Sequence, residues 1–128
     1  MSAKSDYLED AILNHVLRNV SLTSPTTVYC ALFTVAPTDS GGGTEVSGGS
    51  YARTAITFGA PSGGVVSNSA AVTFPTATAG WGTVVAFAIF DLVAGGNMLY
   101  YGNLTVSKVV LTNDVFEFLT GQLSVTEL

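Results

Sequence analysis

Apolar and polar residues alternate with a period of two along most of the chain, and short clusters of Gly, Ser and Thr interrupt the alternation. Such alternation predicts half-buried β-strands, and the clusters between them predict turns. The predicted strands cover residues 27–34, 51–58, 65–66, 70–74, 81–90, 98–101, 105–111, 115–119 and 122–126. Since 65–66 and 70–74 also fit one interrupted strand, we count about eight strands, spaced by about 8–12 residues. The pattern predicts a mainly β fold, an antiparallel β-sandwich or flattened barrel.

Two of the predicted strands are apolar on both faces, as expected of strands inside a sheet. Strand 27–34 carries Val28, Cys30 and Leu32 on one face and Tyr29, Ala31 and Phe33 on the other. Strand 81–90 carries Trp81, Thr83, Val85, Phe87 and Ile89 on one face, and Gly82, Val84, Ala86, Ala88 and Phe90 on the other. We expect the face of large residues to fill the core and the face of small residues to lie under a helix.

Residues 6 to about 20 form the one predicted α-helix. Leu8, Ile12 and Val16 recur at intervals of four residues, which gives an apolar stripe at helical period. Asp6 is predicted to cap this helix, and Glu9, three residues later, completes a capping box. Because so short a helix is marginal in water, it has to dock, either on the sheet of its own chain or on a neighbouring subunit.

The segments between strands are predicted from their turn residues. A long loop covers 35–50, with Gly41-Gly42-Gly43 at its tip, and loops of this length are often functional. The Gly95-Gly96-Asn97 turn predicts one hairpin, and Asn113-Asp114 predicts another between strands 105–111 and 115–119.

The composition of the chain argues against a nucleic-acid-binding or a membrane-spanning protein. The 128 residues predict one domain, 1–128, of which 48% are hydrophobic and 10% charged, with a net charge of −5. The four basic residues are scattered, so direct binding to nucleic acid is not expected. The longest apolar run, 84–90, is far shorter than the ~20 residues of a membrane-spanning helix. Acidic residues near the N-terminus also argue against an export signal, and no membrane association is expected.

Few residues of the chain are suited to catalysis or to metal binding. His15 is the one histidine and is placed at the edge of the helix stripe, while Cys30 is expected to be a buried thiol that packs as a small hydrophobe. Asp91, Asp114 and Glu117 are the acids considered as a hydrolytic pair. No motif brings any of these together, so the sequence predicts no catalytic site, no cofactor and no metal.

Arg53 stands inside a strand pattern in a chain with few charges. We therefore expect it to form an ion pair, with Asp91 as the suggested partner, or to make an exposed contact. Tyr100 and Tyr101 point to opposite faces of one strand, so at least one is expected to be exposed. The predicted contact residues are Tyr7, Leu8, Ile12, His15, Arg53, Tyr100 and Tyr101. The helix is the first choice as a contact element, followed by the loop 35–50 and the chain ends.

The order of several short motifs resembles a known family. These motifs are Ser5-Asp6-Tyr7-Leu8-Glu9, Asn14-His15, Thr27-Val28-Tyr29, Ala31-Leu32, Pro37-Thr38-Asp39, Gly48-Gly49-Ser50-Tyr51-Ala52-Arg53, Ser67-Asn68, Phe74-Pro75-Thr76-Ala77-Thr78, Trp81-Gly82-Thr83-Val84 and Gly95-Gly96-Asn97. In this order they resemble the small virion proteins of tailed bacteriophages that are usually labelled tail-fibre-like. The resemblance runs from residue 5 to about 97. It implies a structural component of the virion that binds other virion proteins and has no enzymatic activity.

Within that class, a fibre shaft requires length, repeats or a coiled coil, and the chain shows none of these patterns. We therefore expect a capsid decoration (cement) protein on the head exterior, with a tail fibre or tail-tip component as the alternative. The expected partners are the major capsid protein or tail proteins, together with further copies of the chain, for which a trimer is typical. The expected location is the virion, assembled in the host cytoplasm.

Two other classes remain as hypotheses. A receptor- or carbohydrate-binding module predicts exposed aromatic side chains at one end of the sandwich. A hydrolase predicts that His15 or Asp91 lines a pocket.

Overall fold

The structure, a computed structural model, describes residues 2–127. Ten strands and one helix occur in this range. In chain order they are β1 (Ser2–Lys4), α1 (Asp6–Leu17), β2 (Val28–Val35), β3 (Thr44–Glu45), β4 (Thr54–Ile56), β5 (Val65–Ser67), β6 (Val72–Thr73), β7 (Gly82–Phe90), β8 (Met98–Val110), β9 (Glu117–Phe118) and β10 (Ser124–Thr126). The expected mainly β fold with one helix near the N-terminus is confirmed.

Six strands form the main sheet, in the order β1-β8-β7-β2-β3, with β4 also paired to β2. All of its pairs are antiparallel. Leu32 of β2 lies opposite Phe87 of β7, and Phe87 lies opposite Gly102 of β8. The expected central place of the first long strand is confirmed, since β2 has neighbours on both sides. β1 was not predicted, because three residues are too short to show a pattern.

A second layer covers one face of this sheet. Its short ladders, β5–β10 and β6–β9, belong to one irregular two-stranded ribbon, since between them Asn68 N–H donates to Leu123 O at 3.1 Å and Gly121 N–H to Asn68 O at 3.0 Å. Between the layers lies the main core, which includes Leu32, Phe74, Phe87, Ile89, Phe116 and Val125. Two packed layers of antiparallel strands make the fold sandwich-like, and the ladders of residues 2–127 do not close into a barrel.

The two sides of the sandwich differ. On one side the chain leaves β4 and joins the second layer directly, where Phe58 pairs with Asn68 and Gly59 N–H donates to Ser67 O at 3.0 Å. On the other side the edge of β8 faces the edge of the ribbon. At one end β1 bridges them, since Thr126 N–H donates to Ser2 Oγ and Glu127 pairs with Lys4. At the other end β8 continues into the ribbon through a turn in which Asp114 N–H donates to Leu111 O at 3.0 Å.

The predicted faces of the strand 81–90 are correct only in part. The ladder between β7 and β8 shifts register between Val84 and Ala86, which is a β-bulge. Here residues 104–107 of β8 stand against the single residue Val85 of β7, and such an irregularity rotates the residues on either side of it. For this reason Val84 joins Phe87 in the main core, and Val85 packs in a second cluster with Ala86 and Ala88. The alternation of apolar and polar residues in the sequence gives no indication of this bulge.

Four further expectations on strands and turns need correction. The predicted strands 98–101 and 105–111 are one continuous strand, β8. The Asn113-Asp114 turn also does not close a hairpin on it, because β9 pairs with β6. The loop expected at 35–50 contains β3, which pairs with β2, and the buried Val46. The strand expected at 51–58 is shortened to β4.

The helix is shorter than predicted and docks elsewhere. It ends at Leu17, and its N-cap is Ser5, whose Oγ accepts from Leu8 N–H at 3.2 Å, rather than Asp6. Its contacts are with β8, and the described residues of the second cluster, which covers Ala86 and Ala88, include none from the helix. The expected covering of the small-residue face by the helix is therefore wrong. Between residues 2 and 127, no helix has the length and hydropathy needed to cross a bilayer.

Candidate contact surfaces

The apolar stripe of α1 faces solvent for most of its length. Leu8 is 8% exposed and fixes the first turn against the sheet, whereas Leu17 is 74% exposed. We call the exposed apolar side chains of α1 and the residues after it the helix surface; it consists of Leu13, Val16, Leu17 and Val20. Of the predicted contact residues on this helix, Ile12 is half-buried, and Tyr7 and His15 are exposed. Most of the apolar stripe predicted from the sequence therefore forms an exposed surface rather than a contact with the core.

The end of the helix is closed by its own chain. Asn19 adopts a positive φ of 56°, and the N–H groups of Arg18 and Val20 both donate to Asn14 O at 3.1 Å. The ring Nδ1 of His15 lies 3.0 Å from Val20 O. His15 therefore helps to hold the turn after the helix.

Arg53 forms the predicted ion pair, but with a different partner. Its Nε and Nη2 donate to the two carboxylate oxygens of Glu45, each at 2.9 Å, and the suggested partner Asp91 is wrong. Asp91 instead accepts from Asn97 N–H at 2.7 Å and closes its own turn. Arg53 Nη1 donates to Leu92 O and Gly95 O at 3.0 and 2.7 Å, so the guanidinium ties β4 to the β7–β8 turn.

Sequence reasoning missed Glu45 and Tyr51 as the rest of this network. The Tyr51 hydroxyl donates to Glu45 at 2.7 Å and accepts from Leu32 N–H at 3.0 Å. Burial and the hydrogen bond to Glu45 raise the pKa of Tyr51 well above its ordinary value. The motif from Gly48 to Arg53 placed Tyr51 close to Arg53 along the chain, but nothing in the sequence pointed to Glu45, which was expected in a loop.

Tyr100 and Tyr101 lie on opposite faces of β8, as predicted, but neither is exposed as was expected of at least one of them, since both are half-buried. Tyr100 packs against the main core and donates to Glu127, and Tyr101 packs against the second cluster and donates to Asp39. The hydrogen bond to Asp39, together with partial burial, raises the pKa of Tyr101 to about 12. Burial and the bond to Glu127 raise the pKa of Tyr100 as well. Both hydroxyls therefore join the strand to acidic loop or terminal residues.

The groups considered for catalysis have separate structural roles. Cys30 is buried, which raises the pKa of its thiol far above the ordinary value. Asp114 accepts from Leu111 N–H at 2.8 Å, and Glu117 accepts from the hydroxyl of Thr73. Within residues 2–127, no three His, Cys, Asp or Glu side chains are arranged to hold a metal ion.

His15 and Asp91 line one cavity of about 220 Å³, next to the segment 22–25. This is the placement that a hydrolase predicts. Both side chains are already engaged in holding turns, however, since His15 contacts Val20 O and Asp91 accepts from Asn97. The cavity therefore gives no support to the hydrolase hypothesis.

The comparison with family models decides the class of protein. A model described as podophage GP4 fiber I protein gp80 matches residues 3–126. The chain belongs to this family. No curated protein matches the chain.

Membership of the gp80 fiber I family confirms the resemblance to tail-fibre-like phage proteins. It identifies the protein as a phage structural protein of fibre type, which implies a place in the virion and association with other virion proteins. Proteins of this kind are generally non-enzymatic. Of the two locations considered, a tail fibre fits this family better than a head decoration.

Proposed function

We propose that the protein is a fibre component of the phage tail that has no enzymatic activity and is held in the virion through the helix surface. The family match supports the fibre role. The proposed attachment through the helix surface rests on its exposure to solvent. Its four apolar side chains are between 45% and 74% exposed.

The spacing of these side chains makes the helix surface suited to a protein partner. Leu13 and Leu17 fall at positions i and i+4 of the helix, so they lie on one face of it, with Val16 one position before Leu17. Val20 follows in the turn that closes the helix. Burying a Val or Leu side chain contributes about 1.5–3 kcal/mol. Single exposed apolar residues are ordinary, but a row of them on one helix is typical of a binding face.

Further expectations extend this proposal. The predicted homo-oligomer, with a trimer as the typical form, stays a prediction, which the mass of the purified protein by sedimentation equilibrium would test. Assembly in the host cytoplasm likewise stays a prediction. The remaining predicted contact residues, Arg53, Tyr100 and Tyr101, make internal contacts, so we place them beside the binding surface rather than at its centre.

A head decoration protein is the second candidate. It is favoured by the absence of shaft features from residues 2–127, where the helix has 12 residues and the strands show no repeat. Location decides between the two candidates. Labelled antibody or cryo-electron microscopy of intact virions is expected to place the copies on the tail, and copies restricted to the head would show the decoration role instead.

The helix surface is tested with a double variant, Leu13→Asp/Leu17→Asp. Because both side chains are exposed, we expect the thermal stability to change little. Incorporation into virions is expected to fall at least about tenfold, the equivalent of ~1.4 kcal/mol of lost binding. Val93→Asp is the matched control, since Val93 is 55% exposed on the turn after β7. Equal incorporation of both variants would exclude the helix surface as the attachment site.

A further inference from the structure

The ladder between β7 and β8 runs from one end of the sandwich to the other. Val110 lies opposite Gly82 at one end, and Met98 lies at the other end. The nine residues of β7 span about 30 Å. The helix begins at the Met98 end, where Ser5 N–H donates to Leu99 O at 2.9 Å, and it shares a cavity there with the turn after β7. The helix surface and the region around Val110 therefore lie at opposite ends of the molecule.

The end of the sandwich near Val110 carries exposed apolar side chains of its own. Val109, Leu111 and Val115 are each more than half exposed. Val109 and Val115 line a concavity of about 230 Å³ together with Lys108, and Leu111 begins the turn that joins them. We call Lys108, Val109, Leu111 and Val115 the end surface. Like the helix surface, it presents several apolar side chains to solvent in one place.

Lys108 provides the free charge of the end surface. It is exposed and forms no salt bridge with any described residue. Asp114 and Glu117 line the same concavity. Their carboxylates already accept hydrogen bonds, from Leu111 N–H and from the Thr73 hydroxyl respectively. The ammonium group of Lys108 is therefore open to a carboxylate of another molecule.

The helix surface has the opposite charge beside it. Asp10, Leu13 and Leu17 fall at positions i, i+3 and i+7, so they form one row along α1. Asp10 is exposed and has no salt-bridge partner among residues 2–127. The row thus presents a carboxylate beside apolar side chains, and the end surface presents an ammonium group beside apolar side chains. The two surfaces are complementary in charge and alike in apolar character.

We infer that the helix surface of one copy binds the end surface of the next copy, with Asp10 facing Lys108 and the apolar side chains of the two surfaces in contact. Because the two surfaces differ and lie at opposite ends, the contact is heterologous and repeats in one direction. The copies therefore assemble into an open row. The inference names the partner of the helix surface, so it rests on the proposed function.

An open row gives a fibre its length from a short chain. The elements of residues 2–127 include neither a coiled coil nor a repeat that could form a shaft. A second copy fits as the partner because one chain supplies both complementary surfaces, and each covers apolar side chains that the other leaves in solvent. A contact between two end surfaces is a poorer match, since it would bring two Lys108 ammonium groups together.

Cross-linking of cysteine variants tests the contact directly. Leu13→Cys/Val109→Cys, treated with a short bismaleimide, is expected to give a ladder of covalent multimers, because each link joins the helix surface of one copy to the end surface of the next. The wild type is the control, since its Cys30 is buried. Absence of the ladder would overturn the inference. Covalent dimers from Leu13→Cys alone would also overturn it, because two helix surfaces would then be in contact.

Charge exchange tests the pairing of Asp10 with Lys108. Lys108→Glu and Asp10→Lys are each expected to weaken self-association at least about tenfold in sedimentation equilibrium, whereas Lys108→Arg keeps the charge and is the matched control. The combination of Lys108→Glu with Asp10→Lys restores the pair and is expected to return the affinity to within about threefold of wild type. Since both residues are exposed, all four variants are expected to melt at the wild-type temperature.

Two results of this experiment would contradict the inference. A combined variant as weak as the single variants would show that these two charges do not face each other. A wild type that stays a single chain at about 1 mM would show that the copies do not associate through any surface.

Aspartate variants separate this inference from the proposed function. Val109→Asp/Leu111→Asp removes the apolar character of the end surface, as Leu13→Asp/Leu17→Asp does for the helix surface. Each purified variant is expected to stay a single chain, and an equimolar mixture is expected to stop at two chains, because the mixture holds one intact surface of each kind. Fewer copies per virion for both variants support the inference. A loss for the helix variant alone contradicts the inference and leaves the attachment proposal in place, and a loss for neither contradicts both.

Discussion

The guanidinium of Arg53 holds the carboxylate of Glu45 through two hydrogen bonds of 2.9 Å, and the central carbon of the same guanidinium lies 3.6 Å from the centre of the Phe90 ring. The Arg53 side chain is 9% exposed and that of Glu45 is 26% exposed. Two chain segments that are distant in sequence are therefore joined by one mostly buried cation.

Arg53→Met is expected to lower the free energy of unfolding by about 2–3 kcal/mol. Removal of one partner from a buried pair costs about 3–5 kcal/mol, and the partial exposure of Glu45 lowers that figure. Urea denaturation measures the change. Arg18→Met is the control, because Arg18 is exposed and its expected loss is below about 0.5 kcal/mol. Equal losses for the two variants would contradict a structural role for Arg53.

Gly49→Ala is expected to destabilise the protein more than Gly48→Ala. Both glycines have positive φ, 56° and 76°, so each alanine carries the same kind of backbone strain, about 1–2 kcal/mol. A Cβ on Gly49 would lie 2.7 Å from Ala79 O and 2.9 Å from Trp81 Nε1, whereas a Cβ on Gly48 meets nothing within 4 Å.

The steric clash at Gly49 adds about 1–3 kcal/mol, and it also disturbs the 2.9 Å bond from Trp81 Nε1 to Gly49 O. Thermal melting with tryptophan fluorescence as the probe measures both effects, since Trp81 is the one tryptophan. A larger loss for Gly48→Ala would show that the close approach of these loops is not rigid.

Asn68→Ala is expected to cost about 2–4 kcal/mol. Asn68 is 2% exposed, donates through Nδ2 to Ala70 O and Leu119 O at 2.8 and 2.9 Å, and accepts from Leu123 N–H at 3.0 Å. The variant leaves these backbone groups without their partner, at about 1–3 kcal/mol for each one that stays buried.

Ser69→Ala provides the control for Asn68, because Ser69 is exposed and bonds only to Thr57 in the described residues. Chemical denaturation is expected to show a change below about 0.5 kcal/mol for this control. A similarly small change for Asn68→Ala would mean that water replaces the side chain in the ribbon.

Glu127→Gln is expected to remove a stabilisation that depends on pH. Partial burial of Glu127 opposes its ionisation, but the hydrogen bonds from Lys4 and Tyr100 outweigh this and lower its pKa below the ordinary value of 4.5. The folded state therefore favours the ionised form, and the stabilisation is fully present above pH 4.5. It is lost as the pH falls through the lowered pKa of the folded state.

Melting temperatures recorded from about pH 7 down to about pH 3 test this dependence. Wild type is expected to melt above Glu127→Gln at neutral pH, and the two curves are expected to converge under acid conditions. A constant difference across the whole range would show that packing, rather than charge, accounts for the role of Glu127.

The prediction of β2 from sequence succeeded because both of its faces are buried, so apolar residues alone mark the whole strand. β7 was placed correctly, but its faces were predicted only in part, because the bulge at Val84 leaves no mark in the alternation. Glu45 was missed as the partner of Arg53 because an ion pair depends on the distance between two side chains, and sequence spacing does not give that distance.

The amino-acid sequence by itself determined the strand-rich architecture, the N-terminal helix and the absence of a recognisable catalytic motif, since these depend on residue type and local period. The tertiary structure alone decided which apolar surfaces stay exposed. Leu8 and Leu17 both belong to the apolar face by sequence, yet only Leu8 is buried, because the start of the helix is tied to β8 by the bond from Ser5 N–H to Leu99 O. The pairing of β1 with β8 from Tyr100 to Gly102 is likewise a property of the tertiary structure, since a paired stretch of strand has the same residue pattern as an unpaired one.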